Sequence, residues 1–449
     1  MPADAKAPNF LRLESRRRGE IMGNGAAPCV LASRDVPLVR DHHRSFLLHT
    51  LFRTFVLVLF GLLSAACTAD ETGVEGPGAP GVSDVDIVLG SSLALTGHAG
   101  YLGTQTLRGA EAYLRYVNEN GGVHGRAVRI KAFDDEYDPP RCLANTQRFI
   151  IDDDVFALFN YVGTPTTLKA LPLVDEARIP IVGMFTGANA LREPFNRYVI
   201  NVRASYYQET RAAIERLVRD LGLERIAVFY QFDAYGFDGL IGAELALKEF
   251  GLEPVARGSY IRGTVRVSEG LEKIQRSDAQ AVVMVGTYTA SAAFIAMARS
   301  RDFDPVFYNV SFVGAEELAR RIGHGPELNV LMSQVVPSPH SESGAAREYV
   351  QRLAMFFPND EPSYAGLEGY LNARILVEGL RLAGRDLTRE RFIDALESMG
   401  DFRLGPDLTI SYGPDDRQGL DAVHFTRLEE GNFVAFDDWA GLKRQLEAP

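Results

Sequence analysis

The sequence contains few cysteines, and their spacing excludes the common metal and redox arrangements. Among 449 residues there are three, Cys29, Cys67 and Cys142. They are too far apart to form a zinc-ligand set or a Cys-x-x-Cys pair. If the mature chain begins at Cys67, Cys142 has no partner for an internal disulfide. We therefore interpret Cys142 as a small hydrophobic residue on a helix.

Motifs of the common enzyme classes are also absent. The sequence has no G-x-S-x-G, H-E-x-x-H or P-loop motif, and its eight histidines form no set with metal-ligand spacing. Four carboxylates, Asp134, Asp135, Glu136 and Asp138, could bind a metal or exchange protons. We interpret them instead as a strand end followed by a helix cap. The sequence thus predicts a protein that is not an enzyme, without catalytic residues, cofactor or metal.

Positive charge is in the minority. The chain has 47 Lys and Arg residues against 59 Asp and Glu residues, which gives a net charge of −12. Nucleic-acid binding needs clustered Lys and Arg, and no basic stripe interleaved with aromatic residues is present. Nucleic acid is therefore not an expected partner. The length predicts about two to four domains, and no kinase, methyl-accepting or DNA-binding segment is attached.

The amino-terminal part, residues 1–66, has the layout of a leader that ends in a secretory signal peptide. Arg44 and Arg53 provide a positive flank, and Thr54–Leu63 provide an apolar core. Three small residues, Ser64-Ala65-Ala66, then form a cleavage site. An uncleaved anchor helix is the alternative, although His49 and Arg53 interrupt the apolar run. Both interpretations place the rest of the chain outside the cytoplasm.

Cys67 directly follows these small residues, and this arrangement resembles a bacterial lipobox, in which the cysteine thiol receives a lipid. The usual large aliphatic residue three positions earlier is Ser64 here. Residues 67–84 are polar and rich in Gly and Pro, so we interpret them as the lipidated cysteine and a flexible tether. The expected location is the periplasm, with the protein anchored to a membrane as a lipoprotein.

From Asp86 onward, strand-like runs alternate with helical segments. The alternation continues to about Arg203 and then begins again, which predicts two similar α/β lobes with parallel sheets. Within the first run, Asp138 is the predicted N-cap of a helix and Pro139 its first residue. The end of the chain, from Leu408 onward, is predicted to form strands and a hairpin.

At this point the sequence is similar to a known family. The pieces that carry the similarity are Leu95-Thr96-Gly97, Gly103, Arg108-Gly109-Ala110, Asn118 through Gly125, Asp134-Asp135 and Asp138-Pro139. In order and spacing they resemble the leucine/isoleucine/valine-type periplasmic binding proteins, which serve ABC importers. The resemblance covers residues 86 to about 436.

The resemblance implies a type I periplasmic-binding-protein fold. This fold has two Rossmann-like lobes joined by three hinge crossings, expected near Arg203, Val336 and Tyr412. The first lobe would comprise residues 85–203 and 337–412, and the second lobe residues 204–336 and 413–440. The ligand would lie in the cleft between them, so the expected partners are a small molecule and permease subunits, with the protein itself a monomer.

The predicted site begins at Gly163-Thr164-Pro165-Thr166, directly after a strand. Thr164 can cap the next helix and Pro165 suits its first position, so free N–H groups form a cradle for a carboxylate. An ordinary capped helix without a ligand is the alternative. The resemblance adds further cleft residues: Tyr101, Phe185, Thr186, Tyr235 and Tyr288.

One departure from the family pattern concerns the ligand. The resemblance implies an acidic residue that pairs with the ligand's ammonium, but the sequence there is Ser311-Phe312-Val313-Gly314. A buried ammonium without a partner is costly, so an amino acid is not favoured. We expect an apolar or aromatic ligand with one carboxylate, lined by Phe312 among others. A ligand-sensing receptor of the same fold is the alternative to transport.

Overall fold

The computed structural model describes residues 79–323, 329–405 and 408–448. The predicted signal peptide and Cys67 lie outside these residues. At the end of the predicted tether, Val82 forms a bridge with Ile87. Gly81 lies so close to Phe156 that a Cβ atom would be 2.1 Å from the Phe156 nitrogen. Residues 79–82 are therefore packed against the folded part of the chain, whereas Ser83 and Asp84 are exposed.

The first lobe is built on a sheet of five parallel strands in the order β2-β1-β3-β4-β5. The strands are β1 (Asp86–Leu93), β2 (Ala127–Asp134), β3 (Ala157–Phe159), β4 (Ile181–Val182) and β5 (Val199–Ile200). The helices that connect them are α1 (Gly100–Glu119), α2 (Pro139–Ile151) and α3 (Thr164–Ala177). A helix between two consecutive strands lets the chain return to the same end of the sheet, so these strands pair in parallel, as predicted.

Two predicted helix starts have different outcomes. Asp138 is the N-cap of α2 and Pro139 its first residue, which confirms that boundary. The side chain of Asp138 makes no capping hydrogen bond, however. The prediction for α3 was wrong by one residue, because Gly163 is the N-cap and Thr164 is the first helical residue. Gly163 has φ 99° and ψ 150°, a conformation that essentially only glycine adopts.

The second lobe is built on seven strands in the order β14-β13-β10-β9-β8-β6-β7. They are β6 (Ile226–Gln231), β7 (Arg257–Tyr260), β8 (Ala281–Val285), β9 (Val306–Asn309), β10 (Val330–Gln334), β13 (His424–Glu429) and β14 (Asn432–Ala435). Its helices are α4 (Tyr206–Glu215), α5 (Ala234–Glu249), α6 (Ser268–Gln275), α7 (Tyr288–Arg299), α8 (Ala315–Ile322) and α12 (Trp439–Glu447). Strands β13 and β14 form the predicted hairpin. Strand β13 also pairs antiparallel with β10 and so joins the hairpin to the sheet.

Three further helices return to the first lobe, namely α9 (Gly344–Phe356), α10 (Tyr364–Ala383) and α11 (Arg389–Glu397). A short two-stranded sheet, β11 (Phe402–Gly405) with β12 (Leu408–Ile410), follows them. Helix α10 lies directly on α1, since a Cβ on Gly109 would be 1.7 Å from the Gly366 carbonyl oxygen. Glycine is required where two helix backbones approach so closely.

The chain passes between the lobes three times among the described residues. It crosses between β5 and α4, between β10 and α9, and between β12 and β13. Arg203, Val336 and Tyr412 lie on these three connections. The fold is therefore the predicted one of two α/β lobes joined by a hinge. In the part of the chain that the structure describes, no helix is both long and apolar enough to cross a bilayer.

Candidate functional site

The first-lobe side of the candidate site lies where β3 and β4 end. The segments after these strands run side by side, with Val162 bridged to Phe185. This pairing places Thr164 next to Thr186, and their hydroxyl oxygens are 2.7 Å apart. Both threonines are fully buried. Two predicted ligand-binding hydroxyls are thus brought together at the carboxyl edge of the sheet.

The start of α3 is only partly the cradle that the sequence suggests. The first N–H groups of a helix have no acceptor within it, which leaves those of Thr164 and Thr166 available. The Thr166 hydroxyl, in contrast, donates to the carbonyl oxygens of Val162 at 2.6 Å and Gly163 at 2.9 Å. This hydroxyl is therefore committed to the backbone just before α3, and Thr166 offers only its N–H as a donor at the start of the helix.

Aromatic rings from both lobes meet in front of these threonines. The ring centroid of Phe312, from a short 3-10 helix after β9, lies 5.7 Å from that of Phe185 in the first lobe. It lies 4.7 Å from the ring of Tyr235 at the start of α5. It also lies 5.8 Å from the ring of Tyr137 in the first lobe. Phe312 thus stands between the lobes, in contact with two predicted site residues.

Tyr101 and Tyr288 form a separate pair across the lobes. Their ring centroids are 6.3 Å apart in an edge-on arrangement, and the Tyr101 N–H donates to the Tyr288 hydroxyl at 3.4 Å. The Tyr101 hydroxyl donates to Glu316 at 3.3 Å. Glu316 also accepts from the Tyr364 N–H at 2.8 Å. Burial raises the pKa of Glu316, and these hydrogen bonds oppose that rise.

A buried charge cluster at the first crossing is the part of the site that sequence reasoning missed. Arg203 is 0% exposed, and its guanidinium lies 3.3 Å from Glu209 and 3.4 Å from Glu368. It also donates to Ser311 and lies 5.0 Å from the centroid of the Phe185 ring. Burial raises the pKa of Glu368 to about 7, an effect that Arg203 opposes. No local sequence pattern indicates that these residues meet.

Glu209 is the acceptor that ties this cluster to the second lobe. It accepts from the Ser311 N–H and hydroxyl at 2.8 Å each, and from the Ser333 hydroxyl at 2.5 Å. The Glu209 carboxylate is therefore bound by residues of the protein itself. Because Ser311 directly precedes Phe312, the cluster also fixes the short helix that carries Phe312 into the cleft.

A second polar contact joins the lobes near the start of α5. The Asn189 N–H donates to the two carboxylate oxygens of Asp238 at 3.0 and 3.1 Å. Burial raises the pKa of Asp238 to about 6, and the Asn189 hydrogen bond opposes this. Between the lobes, a cavity of about 10 Å³ lies beside Phe185, Ser311 and Glu316. It has room for about one water.

The carboxylates at residues 134–138 have structural roles. Asp134 accepts from the N–H groups of Leu95 at 2.9 Å and Glu136 at 2.9 Å. Asp135 accepts from the Ser92 hydroxyl at 2.7 Å and the Tyr137 N–H at 2.8 Å. Burial raises the pKa of Asp135 to about 6. Within residues 79–323, 329–405 and 408–448, no group of His, Cys, Asp and Glu residues is arranged to hold a metal ion.

Comparison with known proteins places the chain in a family. The model of the periplasmic binding protein family matches residues 86–432. An amino acid binding protein of Pseudomonas aeruginosa is 25% identical over 54% of this chain, and the match spans 64% of that protein's length. A Leu/Ile/Val-binding protein homolog 7 of Brucella abortus is 23% identical over 66% of this chain and 77% of its own length.

Two solved structures extend this similarity. The structure of a possible leucine/isoleucine/valine-binding protein from Rhodopirellula baltica has a TM-score of 0.76 and 34% identity, covering 80% of this chain and 98% of that one. A substrate-binding periplasmic protein from Ralstonia solanacearum has a TM-score of 0.74 and 29% identity, covering 78% of this chain and 100% of that one. The chain therefore belongs to the periplasmic binding protein family, and within that family it is similar to Leu/Ile/Val-binding proteins.

Proposed function

We propose that this protein is an extracytoplasmic substrate-binding lipoprotein of an ABC importer. It captures a small ligand that carries one carboxylate and an apolar or aromatic body. The main support for this proposal is that hydrogen-bond donors of one lobe lie close to aromatic rings of the other lobe. The Thr164–Thr186 pair and the α3 N-terminus belong to the first lobe, whereas Tyr235 and Phe312 belong to the second.

The carboxylate would bind where donors converge. Because one of the Thr164 and Thr186 hydroxyls donates to the other, the pair has one O–H left to donate to the carboxylate. The N–H groups of Thr164 and Thr166 lie at the same end of α3. A helix N-terminus adds a favourable dipole for a negative charge. The rings of Tyr235 and Phe312 then cover the apolar body of the ligand from the other lobe.

An α-amino acid fits this surrounding less well, because no free carboxylate faces the Phe312 position among the described residues. Glu209 is taken up by Arg203, Ser311 and Ser333. Glu316 accepts from Tyr101 and from the Tyr364 backbone. A buried ammonium would lack a negative partner, which is costly.

Closure of the lobes would be the functional step. A ligand that contacts both lobes stabilises the closed form by its difference in affinity for the two forms. The closed form then docks on permease subunits as a monomer, with the lipid on Cys67 holding it at the membrane. We propose lobe boundaries at residues 85–203 with 337–412 and at 204–336 with 413–440, which agree with the positions of the three connections.

A titration of the purified protein tests the ligand class. Isothermal titration with aromatic and short-chain monocarboxylates, their amides and leucine should give binding of carboxylates and loss of binding for the amides. The amides are the matched control, since they keep the apolar body and remove the charge. Tight leucine binding without binding of any simple carboxylate would overturn the proposal.

A further inference from the structure

We infer that the hydroxyl groups of Tyr137 and Tyr206 bind the ligand directly, through a second oxygen acceptor that the ligand carries besides its carboxylate. The ligand class is then a small apolar carboxylic acid with a keto or hydroxyl oxygen. This inference rests on the proposed function and names the ligand class of that same site.

Tyr137 supplies the first of the two hydroxyls. The residue is 1% exposed, and its hydroxyl has no hydrogen-bond partner. Its ring covers Gly163 at the start of α3, where a Cβ atom would lie 2.0 Å from Tyr137 Cε2. The same ring lies 5.8 Å from that of Phe312. The hydroxyl therefore belongs to a ring that touches both the carboxylate end and the aromatic side of the candidate site.

Tyr206, the first residue of α4, supplies the second hydroxyl. It is 0% exposed, and no hydrogen-bond partner satisfies its hydroxyl. Its ring lies 5.2 Å from that of Tyr235. Burial raises the pKa of Tyr206, whereas Arg203 and the Thr186 hydroxyl act to lower it. Thr186 is thus a neighbour of this hydroxyl as well as of Thr164.

The two hydroxyls lie in one group of four tyrosines. The Tyr235 ring lies 5.2 Å from that of Tyr206 and 4.7 Å from that of Phe312, which the Tyr137 ring also contacts. Tyr260 lies beside Gly286, the residue to which the Tyr235 hydroxyl donates. Two of the four hydroxyls are satisfied within the second lobe. Tyr235 donates to the Gly286 carbonyl at 3.0 Å, and Tyr260 donates to Gln231 at 2.9 Å. Only the hydroxyls of Tyr137 and Tyr206 in this group have no partner among the described residues.

Charge near the group does not oppose an acidic ligand. Asp233, whose charge helps to raise the pKa of Tyr137, accepts from the Tyr235 N–H at 3.0 Å and from Gln231 at 2.7 Å. Arg262 lies 3.8 Å from the same carboxylate and 5.9 Å from the Tyr137 ring centroid. The negative charge of Asp233 is therefore already neutralised locally.

The chemistry of these groups selects the ligand. A buried donor without an acceptor loses its bond to water and gains nothing in return, so an acceptor placed there is favoured. The carboxylate already has donors at the α3 N-terminus. Two remaining phenol donors therefore call for a second oxygen, and a site built to hydrogen-bond an oxygen discriminates against an analogue that lacks it.

Paired probes test the inference. The binding of phenylpyruvate is compared with that of 3-phenylpropionate, and 4-methyl-2-oxopentanoate with 4-methylpentanoate, by isothermal titration. The protein should prefer the oxygen-bearing member of each pair by about tenfold or more. The variants Tyr137→Phe and Tyr206→Phe should each reduce this preference while they still bind the simple acid.

Tyr308→Phe is the matched control. Tyr308 is also 0% exposed with an unpartnered hydroxyl, but its ring packs against Phe425 on β13, 6.4 Å away. It should keep the preference. A thermal melt without ligand checks folding, and all three variants should melt at or above the temperature of the parent because each loses an unpaired buried hydroxyl.

The outcomes separate the two proposals. Equal affinity for both members of each pair, or a preference that survives in both Tyr137→Phe and Tyr206→Phe, refutes the inference and leaves the proposed function standing. A protein that binds neither the simple acids nor the oxygen-bearing acids refutes the proposed function and the inference together.

Discussion

Replacing Gly163 by alanine should destabilise the protein for two separable reasons. The backbone at Gly163, with φ 99° and ψ 150°, costs a residue with a Cβ about 1–3 kcal/mol. The new Cβ would also lie 2.0 Å from Tyr137 Cε2, and such overpacking costs about 1–3 kcal/mol more. We therefore expect the free energy of unfolding to fall by about 2–6 kcal/mol in total.

Urea denaturation of four variants beside the parent measures both parts. Gly121→Ala is the control for the backbone, since Gly121 has φ 93° and a Cβ added there would meet no atom within 4 Å, and it should lose only about 1–3 kcal/mol. Tyr137→Ala alone should cost about 3–5 kcal/mol by loss of buried ring contacts. The double variant Gly163→Ala/Tyr137→Ala should be more stable than the sum of its single changes predicts, because the clash is gone.

The coupling between these two changes decides the test. If the added Cβ clashes with the Tyr137 ring, the double variant should be about 1–3 kcal/mol more stable than the sum of the two single changes predicts. Additivity within about 0.5 kcal/mol would show that the Tyr137 ring does not cover Gly163. The same result would remove Tyr137 from the carboxylate end of the candidate site and leave only its contact with Phe312.

Three further predictions concern the ligand, the pH and the membrane. Thr164→Ala should weaken binding of a carboxylate about tenfold, whereas Thr166→Ala, whose hydroxyl already bonds to backbone carbonyls, should change affinity little; equal effects in titrations would contradict the geometry. Burial raises the pKa of Glu368 from 4.5 to about 7, so its contribution to stability is complete below pH 4.5 and is lost as the pH rises through 7. Asp135 and Asp238 also lose their contributions over this range, so the free energy of unfolding should fall by about 3 kcal/mol less in Glu368→Gln than in the parent. An identical pH profile in that variant would refute the assignment. Cys67→Ser should move the protein from the membrane fraction to the soluble periplasmic fraction, and unchanged membrane association would argue against lipidation.

Some positions in the candidate site could not be predicted in detail even with the family in view. Thr164 and Thr166 have the same side chain and lie two residues apart on one helix. Serine and threonine hydroxyls can bond either outward or to a carbonyl three or four residues earlier. The structure directs the Thr166 hydroxyl to Val162 and Gly163 and the Thr164 hydroxyl to Thr186. That choice depends on the neighbouring loop after β4, which local sequence does not encode.

By itself the sequence determined the alternation of strands and helices, the two lobes, and the approximate position of each helix, because these follow from hydrophobic period, capping residues and glycine. Only the tertiary structure decided which side chains meet. The Arg203 guanidinium lies 3.4 Å from the carboxylate of Glu368, which is 165 residues away in the sequence. The ring centroids of Phe312 and Phe185 are 5.7 Å apart. Such contacts depend on how the separately formed elements pack together, and packing over long separations leaves no local pattern in the sequence.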